Sequence, residues 1–262
     1  MQTFAYQAPT SVVDAAKAAA SGAAKFLAGG QSLFPSMRLG LAAPESLIDL
    51  GKIPVLSGIK VEPGKVTIGA MTTHAAVAAS KDVQQAIPAL AQLAGAIGDR
   101  QVRNRGTIGG SLANNDPAAD YPAAALGLGA TITTDRRSIP ADQFFKGLFE
   151  TALQDGELIT SVSFPVPEKA GWQKFKQAAS RFAIVGVFAS KGPQGVRVAV
   201  AGAGPCAFRV KALEDKLASN WKASACEGVS VPPSGLNSDM HGSAEYRAAL
   251  IPVLAARAVA AS

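Results

Sequence analysis

The chain has 262 residues, 48% of them hydrophobic and 17% charged, which excludes both a minimal module and wholesale disorder. Its 25 Lys and Arg against 19 Asp and Glu leave a formal charge of +6; the cations are scattered and form no basic tract interleaved with aromatics, so nucleic-acid binding is not supported. Two cysteines, Cys206 and Cys226, are too few for a four-thiolate iron–sulfur cluster and have no common zinc spacing.

The first piece, Phe4 to Pro9 in FAYQAP, reads as extended, and Thr10 or Ser11 caps an Ala-rich helix with Asp14 at its positive end. Residues 24–28 read as a strand entering Gly29-Gly30, followed by helical sequence over 32–39 and a short buried strand over 46–50. Residues 1–52 thus form a βαβ-like lobe.

A second lobe, 53–170, begins with a hairpin around Pro63-Gly64. Thr72-Thr73 caps a helix running toward Gln85, and residues 88–96 read as the next helix. Residues 107–120 read as a polar glycine- and asparagine-rich loop, 123–133 as carrying a strand, and 157–166 as another strand. From about Gly171 to residue 262, three antiparallel strands (172–178, 183–190 and 196–203) are covered by helices over 211–217 and 243–260. The N-terminus lacks a charged leader followed by an apolar run, and the longest apolar stretch, 122–132, carries Gly127, Gly129 and Thr131. A soluble, cytoplasmic protein without a transmembrane segment is expected, with no disulfide.

Two glycine segments carry chemistry. Ala28-Gly29-Gly30-Gln31-Ser32 follows a strand. It is open to two readings, a tight strand–helix turn or a nest of backbone N–H groups for a phosphate. The second is Thr107-Ile108-Gly109-Gly110-Ser111-Leu112-Ala113-Asn114-Asn115-Asp116-Pro117-Ala118-Ala119-Asp120. It gathers two glycines, two hydroxyls, two amides and two carboxylates in fourteen residues, more small polar groups than a structural loop needs. Two such pairs suit a pyrophosphate gripped from both sides, with Asp120 accepting from a ribose hydroxyl and Asp116, ahead of Pro117, serving the turn; the other reading is structural, Asx-turns and a helix cap before Tyr121-Pro122.

The AGGQS and TIGGSLANNDPAAD segments closely resemble the FAD-binding medium subunit of molybdenum hydroxylases, the carbon monoxide dehydrogenase and xanthine dehydrogenase family. IGAMTTHAA from Ile68, FKQA from Phe175 and GSAEYRAAL from Gly242 resemble it too, so the likeness covers essentially the whole chain. A GxGxxG fingerprint with its distant acid is absent.

The resemblance implies an α+β protein with the FAD-binding fold of the p-cresol methylhydroxylase and vanillyl-alcohol oxidase type, two α/β lobes with a C-terminal antiparallel sheet and helices. It implies non-covalent FAD. Lys25, Phe26, Leu27, Ala28, Gly29, Gly30, Gln31, Ser32 and Leu33 match the first FAD segment, and Thr107, Ile108, Gly109, Gly110 and Ser111 the second wall. Asn114 matches a further cofactor contact, Asp120 a ribose ligand, Leu158 a backbone contact and Lys176 a lysine beside the flavin. A cation there favours an anionic reduced ring. Ile97 stands where some relatives carry an aromatic, and Phe182 near a frequent Tyr; an aliphatic side chain packs but does not stack.

The implied partners are a large subunit with a molybdopterin cofactor and a small subunit with two [2Fe–2S] clusters, in a doubled heterotrimer. The chain's part is electron transfer from the clusters through FAD to an external acceptor. A stand-alone flavoenzyme of the same fold and a non-redox dinucleotide scaffold are the alternatives. His74 and His241 offer no metal site, and Arg100, Arg103 and Arg105 are open to serving helix-end carbonyls, a phosphate or an acidic partner.

Overall fold

The computed structural model describes residues 3–20 and 23–262. Strands β1 (Ala5–Gln7), β2 (Ala24–Leu27) and β3 (Ser46–Asp49) form a parallel sheet in the order β1-β3-β2. Parallel neighbours need crossovers, and helices α1 (Val12–Ala19) and α2 (Leu33–Arg38) lie in them. Ser11 is the cap of α1, its hydroxyl accepting from the Asp14 N–H.

Strands β4 (Ile59–Glu62), β5 (Lys65–Gly69), β6 (Thr131–Thr134), β7 (Ser138–Pro140) and, after the β8 (Phe145–Gly147) and β9 (Glu150–Thr151) hairpin, β10 (Ile159–Pro165) follow. The second sheet has the order β4-β5-β10-β6-β7 and is antiparallel throughout. Helices α3 (His74–Ala79), α4 (Lys81–Ala86), α5 (Pro88–Gly95), α6 (Arg100–Arg105), α7 (Ile108–Asn114) and α8 (Tyr121–Leu128) all fall between β5 and β6. A short α9 (Ala141–Phe144) follows β7.

The third sheet is β11 (Lys169–Lys176), β12 (Ala183–Gly192), β13 (Gly195–Ala201) and β14 (Phe208–Arg209), antiparallel in chain order. Helices α10 (Lys211–Ser219) and α11 (Ala244–Ala260) cover one face. The other face carries Trp172, Phe188, Ala199 and Ala201 into the core of the second lobe. Alternation along each strand separates the two faces: Val185, Val187, Val198 and Val200 meet the helices, and Phe188 and Ala199 point the other way.

Four expectations need correction. The third sheet has four strands where three were expected, because the short β14 adds to the edge of β13. Residues 107–120 are not a continuous loop, because α7 occupies half of them; Thr107 caps it through the Gly110 N–H. Residues 123–133 begin as α8, with Pro122 in its first turn and Gly129 closing it at φ +63°, and only the end is strand. Every residue of α8 is buried, so no amphipathic period marks it as helical. The helix expected to run unbroken toward Gln85 is two helices, because Ser80 is extended and caps the second through the Val83 N–H. Helix α6, which no sequence signal singled out, starts at Asp99, whose carboxylate accepts from the Val102 N–H.

Cys206 and Cys226 are free thiols. Among the described residues no helix is long and apolar enough to cross a membrane, and no group of metal-ligating side chains gathers.

Candidate functional site

The first glycine segment leaves β2 and turns into α2. Along β2 burial deepens toward the turn: Lys25 is exposed, Phe26 half-buried and Leu27 buried. Gly30 sits at φ +73°, a left-handed conformation that side chains resist. Beyond the turn, Gln31 and Ser32 are exposed and Leu33 half-buried. Among the described residues, nothing accepts a hydrogen bond from the backbone N–H groups of Gly29, Gly30, Gln31 and Ser32. No carboxylate occurs between Lys25 and Leu33. The result is a row of free donors with no competing negative charge, which suits an anion.

The second segment comes up against the first. A Cβ at Gly29 would run into the Arg105 carbonyl, and one at Gly110 would lie 3.5 Å from the Ala28 Cβ. Here the donors are already in use. Ile108 donates to the Thr72 carbonyl at 3.1 Å, Gly109 to Ala70 at 2.8 Å, Gly110 to the Thr107 hydroxyl at 3.1 Å, and Ser111 to the Thr107 carbonyl at 3.0 Å. Gly109 is buried against Ala70, where a side chain has no room.

His74 supports this segment from beneath: its N–H donates to the Gly106 carbonyl at 2.9 Å, and its ring lies against Gly106 and, 5.3 Å between centroids, Tyr121. Burial and the nearby Arg103 push the His74 imidazole down to about 4. Arg103 donates to the Ile97 and Gly98 carbonyls at 2.8 and 3.1 Å, in the turn between α5 and α6.

The polar groups after α7 divide in role. Asn114 is half-buried at the helix end. Asn115, fully buried at φ +43°, donates to the Gly147 and Glu150 carbonyls and so holds the β8–β9 hairpin. Asp116 accepts from the Ala118 N–H at 2.9 Å, a turn. Asp120 is buried; its Oδ2 accepts from Lys174 at 2.6 Å, and its Oδ1 has no partner among the described residues. Burial raises its carboxyl to about 6 despite the lysine.

The remaining expected positions are dispersed. Ile97 is half-buried and packs on the core. Leu158 is buried with Ala15 and Ile48; its N–H donates to the Asp135 carboxylate and its carbonyl accepts from the Asp135 N–H, so both main-chain groups are engaged. Lys176 is exposed at the end of β11, past a register shift after Phe175. Phe182, 49% exposed, lines a cleft of about 380 Å³ with Asp116, Pro117, Phe149, Asp239 and Arg247. Sequence reasoning missed Lys174, two residues from the lysine it singled out; only the fold brings it to Asp120.

The chain matches the family model described as the FAD binding domain in molybdopterin dehydrogenase over residues 2–167. It is 35% identical to the carbon monoxide dehydrogenase medium chain of Hydrogenophaga pseudoflava, across 99% of this chain and 96% of that one. It is 35% identical to the nicotine 6-hydroxylase medium subunit of Paenarthrobacter nicotinovorans, across 97% and 95%. Among solved structures it superposes on carbon monoxide dehydrogenase from Hydrogenophaga pseudoflava with a TM-score of 0.87 at 34% identity, covering 99% of this chain and 97% of that one. For quinoline 2-oxidoreductase from Pseudomonas putida 86 the TM-score is 0.89 at 30% identity, with coverage of 99% and 96%. With this match over most of its length, the chain belongs to the family of FAD-binding domains of molybdopterin dehydrogenases.

Proposed function

We propose that this chain is the electron-transfer subunit of a molybdenum hydroxylase, receiving electrons from [2Fe–2S] clusters on a small partner subunit and delivering them to an external acceptor. The molybdopterin cofactor belongs on a large partner subunit, and the assembly is a dimer of heterotrimers in the cytoplasm. The observation that carries the reading is the row of unpartnered N–H groups at Gly29, Gly30, Gln31 and Ser32, held against the second segment in a chain of this family.

In this reading those N–H groups hold the pyrophosphate of FAD. Thr107, Ile108, Gly109, Gly110 and Ser111 form the opposite wall by shape, since their donors from Ile108 onward are taken. Asn114 and the free Oδ1 of Asp120 offer polar contacts to the sugar, and Ile97 offers an apolar surface to the ring. Lys176 and Phe182, both exposed, stand free to meet the cofactor's ring end. Bound FAD supplies the ability to accept electrons singly and hold two. The chain itself has no cysteine set for a cluster.

The test is to purify the full chain alone and with both partner subunits. Acid precipitation releases the yellow colour from either preparation, and substrate bleaches the flavin only in the assembled enzyme. Bleaching by substrate in the single subunit, free of molybdenum and iron, overturns the electron-transfer reading.

A further inference from the structure

Lys174 and Asp120 form the one ion pair, among the described residues, in which both side chains are less than a tenth exposed, at 6% and 4%. Buried lysines are rare because taking an ammonium from water is costly, and a flexible side chain usually reaches solvent instead. Here the ammonium donates to Asp120 Oδ2 at 2.6 Å and to the Ala96 carbonyl at 3.1 Å. It thereby ties a strand of the third sheet to two places in the second lobe: the start of α8 and the end of α5, one residue before Ile97. The second carboxylate oxygen is buried with no donor among the described residues, a state that a native structure rarely tolerates without a ligand or water.

We propose that Lys174 is a positioning residue for the cofactor: holding Asp120 by one oxygen, it keeps the carboxylate charged and presents the other to a sugar hydroxyl of the bound dinucleotide. The proposal rests on the FAD reading above and adds that docking of the third sheet and cofactor affinity are coupled through this pair. A charged acceptor makes a markedly stronger hydrogen bond than a neutral one. Burial already drives the Asp120 carboxyl up to about 6 with the lysine in place, and Lys174 opposes that rise. Without the ammonium the carboxyl rises further and is protonated near neutrality. The other groups around it do not replace the lysine. Tyr121 is kept neutral by burial, His74 behind it is neutral above about 4, and Arg103 is turned to the Ile97 and Gly98 carbonyls.

The experiment is FAD titration of the deflavinated full chain, followed by flavin fluorescence from pH 5 to 8, for wild type, Lys174→Met, Lys174→Arg, Asp120→Asn and Asp120→Asn/Lys174→Met. Wild-type affinity should fall as pH drops through about 6. Lys174→Met should weaken binding about tenfold at pH 7 and move that midpoint upward; Lys174→Arg should restore most of the loss. Asp120→Asn should flatten the profile, and adding Lys174→Met to it should cost less than about threefold more, because the lysine acts through the carboxylate. A wild-type profile in Lys174→Met, or a further tenfold loss in the double variant, overturns the proposal while FAD binding stands. If Lys174→Met alone does not fold, the comparison of Asp120→Asn with the uncharged double variant decides it. No FAD binding by wild type overturns the FAD reading itself, and the proposal with it.

Discussion

At Gly29, Gly30, Gln31 and Ser32 four successive N–H groups have no partner among the described residues, whereas at Ile108, Gly109, Gly110 and Ser111 every N–H is engaged within the chain. Both segments show adjacent glycines beside small polar residues, and in sequence they look alike. The difference lies in what the glycines make room for. Those of the first segment allow a turn at positive φ and an approach to the Arg105 carbonyl, leaving donors outward. Gly109 in the second is space into which the Ala70 backbone fits, so its donors are consumed in fixing α7 to the end of β5. A glycine pair is therefore a permissive feature, and whether it donates or packs is settled by its neighbours in space.

Substitution by alanine is the sharpest way to break this contrast. At Gly109 the added Cβ would lie 2.8 Å from the Ala70 carbonyl oxygen and 2.9 Å from its Cα, buried and without slack. Gly109→Ala should cost about 3 kcal/mol of stability in urea unfolding, with m unchanged. At Gly29 the obstacle is again backbone, the Arg105 carbonyl at the end of α6, but Gly29 itself is half-buried in a turn outside any helix or strand, where Gly109 is fully buried within α7. Gly29→Ala should cost about 1 kcal/mol of stability yet weaken FAD about tenfold or more, because moving the turn displaces the donor row. Gly110→Ala places its Cβ 3.0 Å from the Thr107 hydroxyl and 3.5 Å from Ala28, so it should cost less than about 1 kcal/mol and leave FAD affinity within about threefold. Equal stability losses at Gly29 and Gly109, or FAD loss at Gly110 matching that at Gly29, would erase the distinction.

A pH-dependent effect reports on the support beneath the second segment. The chain has two histidines, so its imidazole NMR signals are few; the His74 signal should titrate with a midpoint near 4. Its value when unfolded is close to 6.5. The unfolded chain therefore binds more protons between those values, and this contribution is fully present above 6.5 and lost as pH falls toward 4. Asp120 acts with the opposite sign, since its folded value is raised to about 6 and its term favours folding at lower pH. In Asp120→Asn the opposing Asp120 contribution is gone, and His74 should contribute a fall in stability of up to about 3 kcal/mol from pH 6.5 to 4. A flat profile in that variant would mean that the ring is reached by solvent.

Local signals in the amino-acid sequence determined a good deal. The Pro63-Gly64 hairpin, a helix cap at Thr10 or Ser11 and the strand over 183–190 each rest on interactions within a few residues. The two glycine segments were legible for the same reason, through composition and through family resemblance. What the tertiary structure alone decided is where burial is complete or partners are distant. Helix α8, buried all round, has no periodic face to betray it. Lys174 reads as an ordinary strand lysine until antiparallel pairing and the shared core bring it, 54 residues away, onto Asp120. The state of a carboxylate depends on what it faces in space, and no short-range pattern encodes that.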